Sequence, residues 1–314
     1  MPFWPNLYTE VVERPYQSGK RHLIALSGYA SAAFIHHLLY TYRDITIDLI
    51  IGMARQDPIT IWDHNEYINL TRTTGRLRVR YFNGTPPIHI KALIWSENQS
   101  STEIAFVGSA NLSWNGFRDY QEMMVTADPE HVREAFPSSD YLMECTDPDV
   151  FEFFKMRYQR KPHDNEIDIS AIHSVVRECD KVELPLTQSR DNEVHERAGL
   201  NWGQRPGREP NQAYIPVPIE VHRNNPNFFP DRGEEFTMIT DDGESFICTI
   251  AQSNNKAIET HHDNSILGKY FRKRLGLDLG SKVHTQDLDR YGRKNVTIYK
   301  IDDETFYMDF SVRR

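Results

Sequence analysis

The sequence has few cysteines, no hydrophobic run of membrane length and no leader-like start. Its three cysteines, Cys145, Cys179 and Cys248, lie far apart and form no CxxC pair, which argues against a zinc cluster and suits a reducing compartment. No apolar stretch reaches the length that spans a bilayer. The opening MPFWPNLYTE lacks the basic start and the small-residue cleavage site of a signal peptide. We therefore expect a cytoplasmic protein without a membrane partner.

The chain also lacks an excess of positive charge. It carries 36 Lys and Arg against 45 Asp and Glu, a net charge of −9. Phosphate binders usually gain affinity from surplus Lys and Arg, so the total counts against a nucleic-acid partner. The acidic surplus lies mainly in residues 1–200, however, because residues 201–314 hold 16 basic and 17 acidic residues. Within that second part, Lys269, Arg272, Lys273 and Arg274 form a dense basic patch.

The first 160 residues show the pattern of an α/β domain. Two short apolar runs, 22–27 and 45–51, flank a segment, 31–42, with apolar residues at helical spacing. A strand, a helix and a strand at this spacing predict a βαβ unit with parallel strands. Further strands are expected at 89–95, 103–107 and 120–126, and a closing amphipathic helix at 148–160. The pattern predicts a layered mixed sheet flanked by helices over residues 1–160.

The composition changes after residue 160. Residues 161–200 are polar and acidic and predict a linker, with one short helix around 169–179. In residues 201–314, strands are expected at 214–218, 235–239, 245–251, 296–301 and 305–310, and one helix at about 265–275. Many short strands with little helix favour a small barrel, so the second domain is predicted to be a mostly β pseudobarrel over residues 201–314.

The strongest chemical signal is a histidine and a lysine two residues apart on a predicted strand. Alternation along a strand puts His89 and Lys91 on the same face. An imidazole can attack phosphorus while an ammonium holds the non-bridging oxygens, so the pair suits phosphoryl transfer. Ser109 and Asn111 follow the next predicted strand as hydrogen-bond donors. Glu122 is the carboxylate expected to fix the imidazole tautomer.

These residues resemble the motif of the phospholipase D superfamily, which is HxK, then an Asp, then GSxN. The chain departs from the motif at the Asp position, which is Ser96. The resemblance implies a metal-independent phosphodiesterase in which one histidine bonds covalently to the DNA phosphate and another protonates the leaving oxygen. Because the chain has one HxK, it also implies a homodimer in which His89 of each subunit meets the other across a two-fold axis. No spaced acidic set of a two-metal nuclease competes, so no metal and no cofactor are expected.

Residues 200–314 resemble the C-terminal part of NgoFVII-type restriction endonucleases, which is similar to the B-three DNA-binding pseudobarrel of plant transcription factors. The segments that carry this resemblance include 201–205, 213–216, 228–230, 240–243 and 270–277. The resemblance implies two arms that reach into the major groove of DNA. Two segments rich in groups that can read base edges provide the candidate DNA-binding residues. These are Arg205, Arg208, Asn211 and Gln212 in the first segment, and Asn264, Lys269, Arg272 and Arg274 in the second.

Together the two resemblances imply a type II restriction endonuclease that cuts double-stranded DNA at a specific sequence. One alternative is another enzyme of the phospholipase D superfamily, either a non-specific nuclease or a phospholipase, although no amphipathic membrane-facing stretch supports the latter. The other is a sequence-specific DNA-binding protein with a degenerate catalytic half, an option that Ser96 keeps open. Relatives of this type can depend on an ATP-driven translocating partner. The chain has no GxxxxGK[ST] loop, so such an ATPase would be a separate subunit.

Overall fold

The computed structural model of the protein describes residues 2–3, 6–97, 103–157, 176 and 178–312. The chain divides into two compact units, Met1–Asp164 and Asn165–Arg314, and each is described by itself. Within the described residues, no helix is both long enough and apolar enough to cross a bilayer.

The first unit is built on an eight-stranded mixed sheet. The strands of this unit are β1 (Pro2–Phe3), β2 (His22–Ser27), β3 (Thr46–Ile51), β4 (Ile59–Thr60), β5 (Leu77–Phe82), β6 (Lys91–Ser96), β7 (Ile104–Gly108), β8 (Met124–Ala127), β9 (Leu142–Glu144) and β10 (Met156–Arg157). The sheet has the order β1-β8-β7-β6-β2-β3-β5-β9, and β4 pairs separately with β10. Strands β2, β3 and β5 run parallel, whereas β6 runs antiparallel to β2. The start of β6 therefore lies beside the end of β2.

Helices flank this sheet. They are α1 (Arg14–Gln17), α2 (Ala32–Thr41), α3 (Ile61–Thr74), α4 (Pro129–Arg133) and α5 (Val150–Phe153), with π-helical turns at Thr9–Glu13 and Asn115–Asp119 and a 3-10 turn at Ser139–Tyr141. The Ser31 side chain caps α2 by accepting a hydrogen bond from the Phe34 amide. Helix α3 ends at Gly75, whose φ of 62° is left-handed. Strand β2, helix α2 and strand β3 form the predicted βαβ unit, and the α/β fold class is confirmed.

The predicted helix over 148–160 is wrong. Among residues 148–157, only Val150–Phe153 is helical, and Phe154 leaves that turn in an extended conformation. Of the residues predicted to form the apolar face, Val150 and Phe154 are buried but Phe153 is 49% exposed, and Tyr158 lies outside the described residues. After this turn the chain pairs with β4 through β10, which competes with helix formation at the end of the described segment.

Two predicted strands begin later than expected. The strand predicted over 120–126 begins at Met124, because Asn115–Asp119 forms a π-helical turn and the following residues lead into the sheet. The strand predicted over 89–95 begins at Lys91. His89 therefore lies just before β6, beside the C-terminal end of β2.

The second unit is built on a seven-stranded sheet. Its strands are β11 (Lys181–Pro185), β12 (Ile215–Pro216), β13 (Glu235–Thr240), β14 (Ser245–Ala251), β15 (Ala257–Thr260), β16 (Asn295–Lys300) and β17 (Thr305–Asp309). The order is β11-β16-β17-β13-β14-β15-β12, and the edge strands β11 and β12 lie against each other. The sheet is thus nearly closed, and the mostly β pseudobarrel is confirmed.

Helices of this unit contribute side chains to the buried core of the sheet. They are α6 (Ile219–Asn224), α7 (Ser265–Leu275) and α8 (Thr285–Tyr291), with 3-10 turns at Gly199–Gln204 and Ser253–Asn255. Leu267 and Phe271 of α7 are fully buried and belong to the same hydrophobic cluster as Phe236 and Phe306 of the sheet. Helix α8 and strand β15 were not predicted, because neither segment carries a distinctive periodic pattern.

The predicted linker over residues 161–200 needs correction. Within it, β11 pairs antiparallel with β16, from Lys181 opposite Tyr299 to Pro185 opposite Asn295. Its alternate residues Val182 and Leu184 are buried, so it is a half-buried edge strand whose polar neighbours masked the alternation. The short helix predicted around 169–179 lies largely outside the described residues.

Candidate active site and DNA-binding surface

His89 and Lys91 lie together at the start of β6. His89 is exposed, whereas Lys91 is only 4% exposed. The Lys91 Nζ lies 2.9 Å from His89 Nδ1 and 3.0 Å from Nε2, and it donates to the His89 carbonyl oxygen at 2.9 Å. The ammonium is therefore held in one place beside an imidazole that a substrate can reach.

Lys91 is electrostatically tied to Glu122. Burial lowers the pKa of the Lys91 ammonium, and the Glu122 carboxylate opposes this shift. Glu122 lies between the π-helical turn Asn115–Asp119 and β8, and it is half-buried. Glu122 therefore acts on Lys91. Its carboxylate favours the charged Lys91 ammonium, which is the form that can hold a phosphate. Its role in fixing the His89 tautomer stays a prediction.

The lowered pKa of Lys91 predicts an early alkaline limit for catalysis. If charged Lys91 binds the phosphate, kcat/KM should fall as pH rises through this lowered pKa, below the ordinary lysine value of about 10.4. Glu122→Gln removes the opposing carboxylate, so the fall should move to lower pH. Lys91→Arg keeps its charge and should move the fall to higher pH. A profile of kcat/KM against pH measures these shifts. Glu130→Gln on α4 is the control and should fall at the same pH as wild type. The prediction would be contradicted if Glu122→Gln and Lys91→Arg also fell at that pH.

Gly108 and Ser109 form a tight turn at the end of β7. Gly108 stands opposite Lys91 in the ladder, and a Cβ there would lie 2.0 Å from the Met123 carbonyl oxygen, so the close approach requires glycine. The Ser109 amide donates to that carbonyl oxygen at 3.0 Å, and the Ser109 hydroxyl accepts from the Met123 amide at 3.1 Å. This pairing holds the exposed Ser109 next to the start of β6.

Asn111 is fixed by the segment that leaves β2. Its Oδ1 accepts a hydrogen bond from the Tyr29 amide at 3.1 Å. The two segments are also joined by a parallel bridge between Ala30 and Leu112. The sequence prediction missed this segment because its residues match no motif. The only available signal was that the end of a central strand is where ligands of α/β sheets often bind.

Gly28 lies beside both predicted catalytic side chains, His89 and Asn111. A Cβ at Gly28 would lie 3.1 Å from His89 Cδ2 and 3.4 Å from Asn111 Oδ1. The Tyr29 ring also stands edge-on to the His89 ring, with the centroids 5.7 Å apart. Gly28 and Tyr29 therefore form one wall of the space in which the imidazole lies.

Gly28→Ala should slow cleavage up to about 10-fold, since the His89 ring would have to give by a few tenths of an ångström and a displacement of about 1 Å at a reacting group costs about 100-fold. The added methyl group must push the His89 ring or the Asn111 carboxamide. DNA affinity and thermal unfolding should change little, because no left-handed φ is required at this position. Single-turnover cleavage measures the effect, and Gly75→Ala, at a left-handed C-cap with open space around it, is the control for destabilisation alone. An unchanged rate in Gly28→Ala would show that this wall does not hold the imidazole.

Ser96, at the position of the motif Asp, lies away from His89. It is the last residue of β6 and pairs with His22 of β2. Five residues along a strand span roughly 16 Å, so Ser96 and Lys91 lie at opposite ends of β6. The departure from the motif therefore does not alter the surroundings of Lys91.

Three of the predicted DNA-binding residues have side chains that are hydrogen-bonded within the second unit. Arg272 is fully buried and donates to the carbonyl oxygens of Ser281 at 2.8 Å and Gly268 at 3.1 Å. Arg274 is bonded to the Asp241 carboxylate at 3.0 and 2.8 Å. Their donors are occupied within the fold, so these two arginines are structural, and the prediction that they contact DNA is corrected.

Asn211, the third, is 6% exposed. It donates to Glu209 Oε1 at 2.8 Å and accepts from the Gly280 amide at 2.6 Å. Its side chain therefore pins the 205–212 segment to the residues after α7. It cannot reach a base without breaking these bonds, so it is also a structural residue.

The other predicted DNA-binding residues are more accessible. Arg205, Arg208 and Lys269 are exposed, and Gln212 and Asn264 are half-buried. Arg208 stacks over the Trp202 ring at 3.8 Å and donates to Gln212 Oε1 at 3.0 Å. Asn264 donates to Glu259 Oε2 at 3.2 Å. These residues can meet a ligand, although the structure does not gather them into one cleft.

A groove of about 660 Å³ lies elsewhere on this unit. Its walls are the segment after β11 and the turn between β14 and β15, and the polar side chains along them include Gln188, Arg190, His195, Gln252, Asn254 and Lys256. Gln252, Asn254 and Asn255 have left-handed φ values of 65°, 62° and 57°. Such strain is retained where the surrounding structure requires it, often at ligand sites. The predictions missed this groove because one wall falls in the supposed linker.

Two family models match the chain in the order of its two units. The model of the NgoFVII restriction endonuclease N-terminal PLD domain matches residues 5–145. The model of the NgoFVII C-terminal B3-like DNA-binding domain matches residues 175–302. The chain belongs to the NgoFVII restriction endonuclease family. In this family member the PLD domain carries His89 and Lys91, and the B3-like domain carries the groove and begins before β11.

Solved structures that are similar to this NgoFVII-family chain match less than half of it, at low identity. NucT from Helicobacter pylori is 18% identical, covers 43% of this chain and 89% of its own, and has a TM-score of 0.31. Nuc from Salmonella typhimurium, a phospholipase D family member, is 16% identical over 46% of this chain and 98% of its own, with a TM-score of 0.32. No curated protein matches the chain. The family membership thus rests on the two family models.

Proposed function

We propose that this chain is a type II restriction endonuclease that cleaves double-stranded DNA at a specific sequence, without a metal, through a phosphohistidine intermediate. The observation that supports this most is the Lys91 ammonium held 2.9 Å from the exposed His89 imidazole. A nucleophile beside fixed positive charge suits displacement at phosphorus. The B3-like DNA-binding domain in the same chain supports double-stranded DNA as the substrate.

In the proposed reaction, a ring nitrogen of neutral His89 attacks the phosphorus of a DNA phosphodiester. The nitrogen–phosphorus bond forms as the bond from phosphorus to the leaving oxygen breaks. Lys91, Ser109 and Asn111 hold the non-bridging oxygens, and a second histidine gives its proton to the leaving oxygen. That second histidine then takes a proton from water, and the water oxygen displaces His89 from phosphorus. The products are a terminal phosphate and a terminal hydroxyl.

The second histidine is proposed to be His89 of another copy of this chain. The sequence holds a single HxK, and the mechanism needs an acid as well as a nucleophile. Three apolar side chains next to site residues support a dimer through the nuclease domain. Ile90, Tyr120 and Met123 are 45%, 56% and 50% exposed and lie within two residues of His89, Lys91 or Glu122 in the sequence, where a second copy of the chain would cover them. A separate ATPase stays a proposed additional partner.

Digestion of mixed plasmid and phage DNAs in EDTA tests the proposed function. Discrete fragments would support a metal-independent, sequence-specific nuclease. A smear would support metal-independent cleavage but contradict sequence specificity, and it would favour a non-specific nuclease. Specific binding without cleavage, in EDTA and with magnesium and ATP alike, would favour a DNA-binding protein with a degenerate catalytic half.

The groove on the B3-like domain is proposed to contact DNA. Lys256→Ala should weaken binding several-fold and reduce the slope of log Kd against log salt by about 1, since a phosphate contact releases a counterion. Lys269→Ala, on α7 and outside the groove, is the matched variant and should change neither quantity. Binding measured at several salt concentrations checks this. Weaker binding and a smaller salt slope in Lys269→Ala, with no change in Lys256→Ala, would indicate that DNA binds the basic segment around α7.

A further inference from the structure

The buried hydroxyl of Ser27 joins two segments of the active site. Ser27 is the last residue of β2 and is 2% exposed. Its Oγ accepts a hydrogen bond from the Leu112 amide at 3.1 Å and donates to the Tyr29 carbonyl oxygen at 2.5 Å, and it also lies 3.4 Å from Asn111 Oδ1. Ser27 and Lys91 also line the same small cavity. The hydroxyl therefore lies behind the catalytic residues and does not face the substrate.

The orientation of the Asn111 carboxamide depends on the segment that Ser27 holds. The Tyr29 amide, 3.1 Å away, can only donate, so the Asn111 atom that faces it must be the oxygen. With its oxygen turned to Tyr29, the carboxamide has its NH2 group free to donate elsewhere. Asn111 Oδ1 and His89 Cδ2 lie 3.4 Å and 3.1 Å from the position that a Gly28 Cβ would take, so the Asn111 carboxamide is beside the His89 ring.

We propose that Ser27 is a positioning residue for phosphodiester cleavage: by holding the backbone of Tyr29 and by its own contact with Asn111 Oδ1, it sets the Asn111 carboxamide so that the NH2 group donates to the phosphate at His89. This inference rests on the proposed function. A carboxamide turned the other way would present its oxygen to the negatively charged phosphate oxygens, which is repulsive. A donor fixed before the reaction needs no reorganisation in the transition state.

Ser27→Ala tests the inference in the full-length protein. We expect kcat to fall 10- to 100-fold, with the Kd for specific DNA and the KM nearly unchanged. Thr74→Val is the matched control, because the Thr74 hydroxyl also accepts from an amide, that of Arg76 at 3.1 Å, and donates to a carbonyl oxygen, that of Leu70 at 2.7 Å, but it lies at the end of α3 and does not contact Asn111. Its kcat should stay within about twofold of wild type.

A double-mutant cycle separates positioning from a general structural effect. In an Asn111→Ala background, Ser27→Ala should cause almost no further loss, because the group that it positions is already gone. Losses that multiply would overturn the inference, and so would an unchanged kcat in Ser27→Ala. Ser27→Cys, which keeps the volume and weakens the hydrogen bond, is measured in parallel in case Ser27→Ala folds poorly. A wild-type protein that does not cleave DNA would instead contradict the proposed function itself.

Discussion

His89→Ala should lower the cleavage rate by about 10⁴-fold or more, as loss of a covalent nucleophile does in other enzymes, while the Kd for specific DNA changes little. The reason is that the exposed imidazole supplies the attacking nitrogen, whereas the B3-like domain supplies the binding surface. Single-turnover cleavage and an electrophoretic binding assay measure the two effects separately. His131→Ala, an exposed histidine on α4, is the matched control and should leave both unchanged.

Mixing subunits extends this test to the proposed dimer. If each active site needs His89 from two copies, equal amounts of wild-type and His89→Ala protein, exchanged to equilibrium, should retain roughly a quarter of the activity, as random pairing in a two-fold dimer requires. Retention of half would show that each subunit works alone. Loss of binding together with cleavage in His89→Ala would point to a folding defect or to a wrong assignment of the nucleophile.

The proximity of His89 to Lys91 was predicted from strand alternation, but His89 precedes β6, and the contact comes instead from the Lys91 ammonium, which lies beside the imidazole and bonds the His89 carbonyl oxygen. The βαβ unit could be predicted because it depends on local periodicity. The apolar runs of β2 and β3 likewise reflect burial on both faces of a sheet. These patterns do not need knowledge of which segments meet in space.

The role of Ser27 could not be predicted in this way. Its hydroxyl matters only because β6 runs antiparallel beside β2 and brings the GSxN loop over the end of β2. That register is a long-range property, and Ser27 carries no sequence signal of its own. The strand β11 was missed for a similar reason, since its partner β16 lies more than a hundred residues further along the chain.

The basic patch on α7 shows how charge alone can mislead. Lys269 and Lys273 are exposed, one helical turn apart, whereas Tyr270, Phe271 and Leu275 are buried. Helical spacing places Arg274 one turn after Tyr270, and its hydrogen bond to the Tyr270 hydroxyl at 2.6 Å follows from that spacing. Arg272 breaks the pattern, because its partners are backbone carbonyls from distant segments.

Arg272→Met should destabilise the protein by at least about 3 kcal/mol, because several buried carbonyl oxygens would lose their donor at about 1–3 kcal/mol each. The guanidinium bonds the carbonyl oxygens of Ser281, Gly268, Pro210, Leu200 and Asn211. It thereby ties α7 to the chain segments on both sides of it. Urea unfolding followed by tryptophan fluorescence measures the loss.

Lys269→Met is the matched control on the same helix and should change the free energy of unfolding by less than about 0.5 kcal/mol, as exposed substitutions usually do. DNA binding separates the two interpretations of Arg272. A structural arginine predicts that the Kd at low temperature, where the variant is folded, stays close to wild type. A DNA contact predicts the opposite: a folded, stable Arg272→Met protein with weakened binding and a smaller salt dependence. Because no Arg272 donor is exposed in this structure, we expect the first result.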